Sequence, residues 1–137
     1  MQGYYAFPTK NQLMELSEKD FLDLGAGYRA KYLFNVVRQV DEKELESWDM
    51  LSTKELRSKL IGLSGVGPKV ADCIMLFGYN RQDVFPVDTW IEQMYNEFID
   101  PNEHNRNKIR EKLIEMFGNL SGYAQQYLFY YQRSGKQ

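Results

Sequence analysis

The sequence predicts an all-α fold, a multi-helix bundle with a helix–hairpin–helix at about residues 53–77. Three observations lead there. A capping residue with a partner three positions on recurs at Thr9 with Gln12, Ser17 with Asp20, Asp41 with Glu44 and Ser52 with Glu55. Gly25, Gly78 and Gly118 stand where helical patterns run out. No segment alternates apolar and polar residues as a half-buried strand would.

In chain order these signals place helices near 10–16, 18–24, 28–40, 42–48, 53–61, 68–77, 89–99, 104–117 and 121–132. Each capping side chain is worth about 1 kcal/mol. Only 83–87 reads as extended, because Pro86 biases Phe85 away from the helical region. Leu60, Leu63, Val66, Val70, Ile74 and Phe77 form an apolar stripe through the central hairpin.

A chain of 137 residues fits one domain and is long enough for a real core. Aromatics reach 15%, including ten Tyr, and the plain expectation is a Tyr-rich core. A net charge of −2 argues against a purely electrostatic DNA binder. The charge is uneven, however. Residues 41–49 carry five acids and one lysine, whereas Arg106, Lys108, Arg110 and Lys112 face only Glu111. That contrast would orient the chain on a polyanion, or it is simply two solvated helix faces.

One cysteine excludes a disulfide framework and any four-cysteine zinc or iron–sulfur site from this chain, and His104 is the lone histidine. No long apolar run or leader pattern is present, so the expectation is an intracellular protein of the cytoplasm, nucleoid or nucleus. The opening Met1-Gln2-Gly3-Tyr4-Tyr5-Ala6-Phe7-Pro8 has no polar lead-in and reads as a chain entered midway through a larger one.

The chemistry concentrates at Leu63-Ser64-Gly65-Val66-Gly67-Pro68-Lys69-Val70-Ala71-Asp72. Gly65 and Gly67 make a tight turn, Pro68 opens a helix, and Lys69 sits at that helix's electropositive end. The nucleotide-binding glycine motifs do not fit: no strand precedes, and Val70 stands where a P-loop needs Ser or Thr. What remains is either a turn whose N–H groups near Gly65, Gly67 and Lys69 take one DNA phosphate, or a helical corner with a glycine cap.

Lys69 shares a helix face with Cys73, four residues on. A lysine that attacks must lose its proton, and the helix terminus supplies only about 0.3–1 kcal/mol toward that. Burial or a carboxylate must do the rest. Asp88 is the candidate, although it stands where the N-cap of the following helix would sit, and on the residues alone the cap is the stronger reading. Asp88 lies nineteen positions after Lys69, enough for one helix and a return loop.

These residues together resemble the helix–hairpin–helix DNA glycosylases, and within them the 8-oxoguanine glycosylase/AP lyases. The matching runs are Gly27-Tyr28-Arg29-Ala30-Lys31-Tyr32, Gly65 through Cys73, Pro86-Val87-Asp88, and Gly122-Tyr123-Ala124-Gln125 through Phe129, in order along nearly the whole chain. The endonuclease III-like relatives share the lysine and aspartate but carry a cysteine-bound cluster that one Cys cannot hold. The resemblance implies base-excision repair: Lys69 attacks C1′ and expels 8-oxoguanine, and β-elimination then cleaves the strand. Asp88 would stabilise the sugar's positive charge. Cys73 and Phe129 would sandwich the extruded base, with Gln125 on its Watson–Crick edge. Tyr28 would wedge into the duplex, Arg29 would contact the unpaired cytosine, and Trp90, where relatives often have His, would lie near a phosphate. Carbonyls of Ile61, Leu63 and Val66 would hold a structural K+ or Na+, with no cofactor required.

The resemblance also implies a catalytic C-terminal half lacking the family's N-terminal domain and first helices. Its partners would be double-stranded DNA with 8-oxoguanine or abasic sites, and either that missing portion or a second copy over its docking surface. The alternatives are a non-catalytic helix–hairpin–helix DNA-binding module and a helical protein-interaction domain.

Overall fold

The computed structural model describes residues 8–135, so most of the aromatic opening segment lies outside the described residues. Among those described, regular structure is entirely helical. The chain divides into two compact units, residues 1–51 with 62–65, and residues 52–61 with 66–137.

In the first unit, α1 (Lys10–Met14) and α2 (Glu18–Asp23) pack on α3 (Ala30–Gln39), followed by α4 (Glu42–Ser47). Thr9 and Ser17 form reciprocal capping boxes with Gln12 and Asp20, and Asp41 accepts from the Glu44 N–H. A single 3-10 turn, Gly27–Arg29, delivers the chain into α3. Phe21, Ala30, Val40 and Trp48 are buried.

The hairpin loop rests on α3. Gln39 uses both ends of its amide, accepting from the Ser64 N–H at 2.7 Å and donating to the Gly62 carbonyl at 3.4 Å. Gly65 has φ +80° and lies so close to Tyr32 that an added Cβ would meet the tyrosine's own Cβ at 2.7 Å. Only glycine satisfies both conditions.

The second unit holds α5 (Thr53–Ile61), α6 (Pro68–Gly78), α7 (Thr89–Phe98), α8 (Arg106–Phe117) and α9 (Ser121–Gly135). Helix α5 packs on α6 and α7 packs on α9. Phe85, Val87, Ile91, Met94, Tyr95, Ile109 and Leu113 form one buried cluster, on which Ala124, Leu128 and Phe129 of α9 pack. Burying each large apolar side chain contributes roughly 1.5–3 kcal/mol.

The segment expected to be extended, 83–87, is indeed non-helical. Val84, Phe85, Pro86 and Val87 are buried, so this stretch threads the core and delivers Asp88 at its exit. The Gln82 carbonyl accepts from the Gly122 N–H at 2.9 Å, which ties the loop to α9.

Three expectations change. Gly78 is the last residue of α6, and the left-handed position that turns the chain is Asn80, with φ 54°. The buried face of α6 is Ala71, Asp72, Met75 and Leu76, while Val70 and Phe77 of the expected stripe are exposed. That helix is apolar nearly all round, so periodicity could not choose its face. Tyrosines do not build the core either. Tyr95 is buried, but Tyr28, Tyr123, Tyr127, Tyr130 and Tyr131 are 57–78% exposed, the last four on a side of α9 turned from the cluster.

Candidate active site

Helix α6 starts differently from its neighbours. Side chains of Thr9, Ser17, Asp41, Ser52, Asp88 and Asn105 cap the other helices entered from loops. The N-cap of α6 is Gly67, which supplies no side-chain hydrogen bond, and Pro68 follows at the first helical position. The first-turn N–H groups, Lys69 included, are therefore left to an external acceptor. Gly67 has open space around its Cα, so nothing crowds an approach there.

Lys69 is exposed on that first turn, Cys73 is half-buried one turn on, and Asp88 is half-buried at the start of α7. The three meet electrostatically at the thiol. Burial pushes the Cys73 thiol up; the Lys69 ammonium pulls it down, and the carboxylates of Asp72 and Asp88 push it up further. Asp88 Oδ1 accepts from the Ile91 N–H at 2.9 Å. Its other oxygen, Oδ2, has no hydrogen-bond partner among the described residues. The cap reading and the candidate-acid reading are thus compatible, one oxygen for each.

A cleft of about 380 Å³ opens beside the lysine. It is lined by Pro68, Lys69 and Asp72 of α6, by Val87, and by Asn105, Arg106, Asn107 and Arg110 at the start of α8. Cys73, Asp88, Gln125 and Phe129 do not line it. Of the four cations in the basic run at 106–112, Arg110 is largely covered, whereas Arg106 lines the cleft and stays exposed. Arg106 Nε donates to Glu92 at 2.8 Å, and Arg110 joins Asp72.

Asp72 is the residue that reading the sequence passed over. It is 1% exposed, accepts from Arg57 Nε at 3.1 Å and from Arg110 Nη2 at 3.1 Å, and makes a second, close bond with Arg110 Nε. A charged residue on the buried face of an apolar helix was the available signal. Its partners, 15 and 38 positions away, left none.

Gln125 is buried, with both ends of its amide engaged: Nε2 donates to the Pro86 carbonyl at 3.3 Å, and Oε1 accepts from Gln126 Nε2 at 2.7 Å. Phe129 packs on the Phe85 cluster and Trp90 is half-buried on α7. In the first unit, Arg29 lies over the Tyr28 ring at 4.7 Å, and Tyr28, 75% exposed, stands edge-on to Tyr32. Exposure removes the core reading for Tyr28. Among the described residues no three His, Cys, Asp or Glu side chains are grouped to hold a metal, and no helix is long and apolar enough to cross a membrane.

No protein-family model matches the chain. It is 36% identical over 120 residues to a probable N-glycosylase/DNA lyase of Methanothermobacter thermautotrophicus, covering 87% of this chain and 38% of that protein. It is 33% identical over 141 residues to the N-glycosylase/DNA lyase OGG1 of Arabidopsis thaliana, covering 92% and 38%. Its fold matches the Clostridium acetobutylicum 8-oxoguanine glycosylase/lyase, solved with double-stranded DNA containing cytosine opposite 8-oxoguanine. That match has a TM-score of 0.89 and 47% identity, over 98% of this chain and 47% of that one. The chain spans less than half the length of these relatives. Over that span, its sequence and fold are similar to those of the 8-oxoguanine N-glycosylase/DNA lyases.

Proposed function

We propose that this chain is the lysine-bearing part of a base-excision-repair enzyme that removes 8-oxoguanine from duplex DNA and cleaves the abasic site. Residues 1–137 would then be a partial helix–hairpin–helix glycosylase domain. The supporting observation is that Lys69 stands on an uncapped helix start and Asp88 keeps one oxygen uncommitted, with the charges of both felt at the Cys73 thiol.

In this mechanism the unprotonated Lys69 amine forms a bond to C1′ as the bond from C1′ to the base breaks. The base leaves with that electron pair and takes a proton. Asp88 Oδ2 faces the positive charge that develops on the sugar and receives the lysine's proton. The sugar ring opens to a Schiff base. Loss of a C2′ proton then expels the 3′ phosphate oxygen with its electron pair, cutting the strand. Cys73 and Phe129 stack on the extruded base. Gln125, with one N–H and one lone pair left beyond its bonds to Pro86 and Gln126, reads the base edge. Tyr28 fills the gap in the duplex and Arg29 meets the cytosine. The N–H groups at Gly65, Gly67 and Lys69, with Trp90, hold phosphates.

No cofactor enters these steps. The carbonyls of Ile61, Leu63 and Val66 are neutral oxygen donors, a set suited to K+ or Na+, which would brace the hairpin. The substrate places the protein with intracellular DNA. The remaining length of its relatives, or a second copy, is the partner proposed for its exposed apolar surface.

Borohydride trapping tests this. The chain is expected to form a covalent adduct with abasic duplex, and a weaker one with 8-oxoguanine duplex because less of the base pocket is present. Lys69→Gln is expected to abolish both. No adduct with abasic DNA would overturn the catalytic reading in favour of a DNA-binding module. Binding insensitive to salt would argue against DNA altogether.

A further inference from the structure

The nucleophile's helix is held by a buried charge cluster that the mechanism above does not use. Asp72, three residues after Lys69 and so on a neighbouring face of α6, is buried and lines the same cleft as the lysine. Its carboxylate joins α5 through Arg57 and α8 through both donors of Arg110. The guanidiniums keep 23% and 17% of their side chains exposed, so the cluster reaches the cleft where Arg110 and Lys69 are both lining residues.

We propose that Asp72, clamped between Arg57 and Arg110, is a positioning residue for Lys69. It fixes the first turns of α6 against α5 and α8, and it holds one net positive charge beside the lysine. This rests on reading Lys69 as the nucleophile.

The charged and titratable groups around Lys69 come from four helices. Arg57 is on α5, Asp72 and Cys73 are on α6, Asp88 and Glu92 are on α7, and Arg106 and Arg110 are on α8. Glu92 pairs with Arg106 and is approached by His104 at 3.6 Å, so that group adds little net charge. Two guanidiniums against one carboxylate leave the Asp72 cluster at +1. A neighbouring positive charge favours the unprotonated amine, which is the form that attacks.

Two substitutions that break the same clamp therefore act in opposite directions on pH dependence. Asp72→Asn keeps the shape but leaves two unbalanced cations, and Arg110→Gln leaves none. The experiment measures the rate of borohydride-trapped adduct with abasic duplex across pH, each profile normalised to its own maximum, with folding checked by thermal melting. The acid limb is expected to move to lower pH in Asp72→Asn and to higher pH in Arg110→Gln. Each shift is on the order of half a pH unit, the effect of one charge acting through partly wet protein. Arg110→Lys, which keeps the charge but not the paired bond, is expected to lower the maximal rate and leave the limb in place. If Asp72→Asn does not fold, the contrast between Arg110→Gln and Arg110→Lys decides the matter. Limbs that coincide, or that move the same way, would overturn the positioning role while leaving the function reading intact. A wild-type chain that gives no adduct at any pH would overturn both.

Discussion

Asp88 and Ile91 are joined by a 2.9 Å bond from the Ile91 N–H to Asp88 Oδ1, so the candidate catalytic carboxylate is also the cap of α7. The two roles separate by substitution. Asp88→Asn retains an oxygen for Ile91 and is expected to melt within a few degrees of wild type. Asp88→Ala is expected to lose about 1 kcal/mol of stability. Both are expected to reduce adduct formation by roughly a hundredfold or more, because the charge facing the sugar is gone. Denaturant unfolding and borohydride trapping check the two halves; wild-type trapping in Asp88→Asn would remove the carboxylate from the chemistry.

The two hairpin glycines are expected to fail differently. Gly65→Ala forces a side chain into a left-handed conformation and into Tyr32, a cost of about 1–3 kcal/mol seen as a lower urea midpoint. Gly67 has ordinary φ and open surroundings, so Gly67→Ala is expected to fold normally and to weaken DNA binding by crowding the phosphate. Fluorescence anisotropy with abasic duplex measures the second effect.

Cys73 is the chain's single cysteine, so its alkylation reports directly on the site without catalysis. Burial holds the thiol above its ordinary value, and reaction with iodoacetamide at neutral pH is expected to be slow. Lys69→Gln removes the cation that pulls the thiol down, so half-reaction is expected at higher pH. Asp88→Asn removes a carboxylate that pushes it up, so half-reaction is expected at lower pH. Unchanged profiles in both variants would show that neither group lies near the thiol.

Glu92 links α7 to α8 through Arg106. The hydrogen bond from that guanidinium, foremost, holds the Glu92 carboxyl below its ordinary value of 4.5. A carboxyl lowered in the folded state adds stability above its unfolded value, and that stability is lost as pH falls through the folded value. Arg106→Gln is therefore expected to lower the melting temperature slightly at pH 7. Wild type and variant should converge in acid below the folded value, as melts at several pH values would show.

The helices were legible because their signals are local. Thr9, Ser17, Asp41 and Ser52 cap where a side-chain oxygen precedes a run of helix formers, and such a cap needs no partner outside its own turn. The places of Lys69 and Asp88 along the chain made them candidates, whereas Cys73 entered the site only through the family resemblance. Facing was not legible. Helix α6 could bury either Val70 with Phe77 or Ala71 with Met75, and only the packing of α5 selects between apolar faces. The tyrosines of α9 misled for a related reason: an aromatic stripe marks a face but does not say which way it turns.

By itself, then, the amino-acid order determined that this protein is helical, where its helices begin, and that a lysine follows a diglycine turn, because each of these depends on neighbours a few bonds away. Tertiary structure decided the rest. Asp72 is paired with Arg57 and Arg110, one oxygen of Asp88 goes to a cap, and the Gln125 amide is bound at both ends. Most of these contacts join residues 15 to 39 positions apart, and only burial of a shared core brings such groups within hydrogen-bond reach.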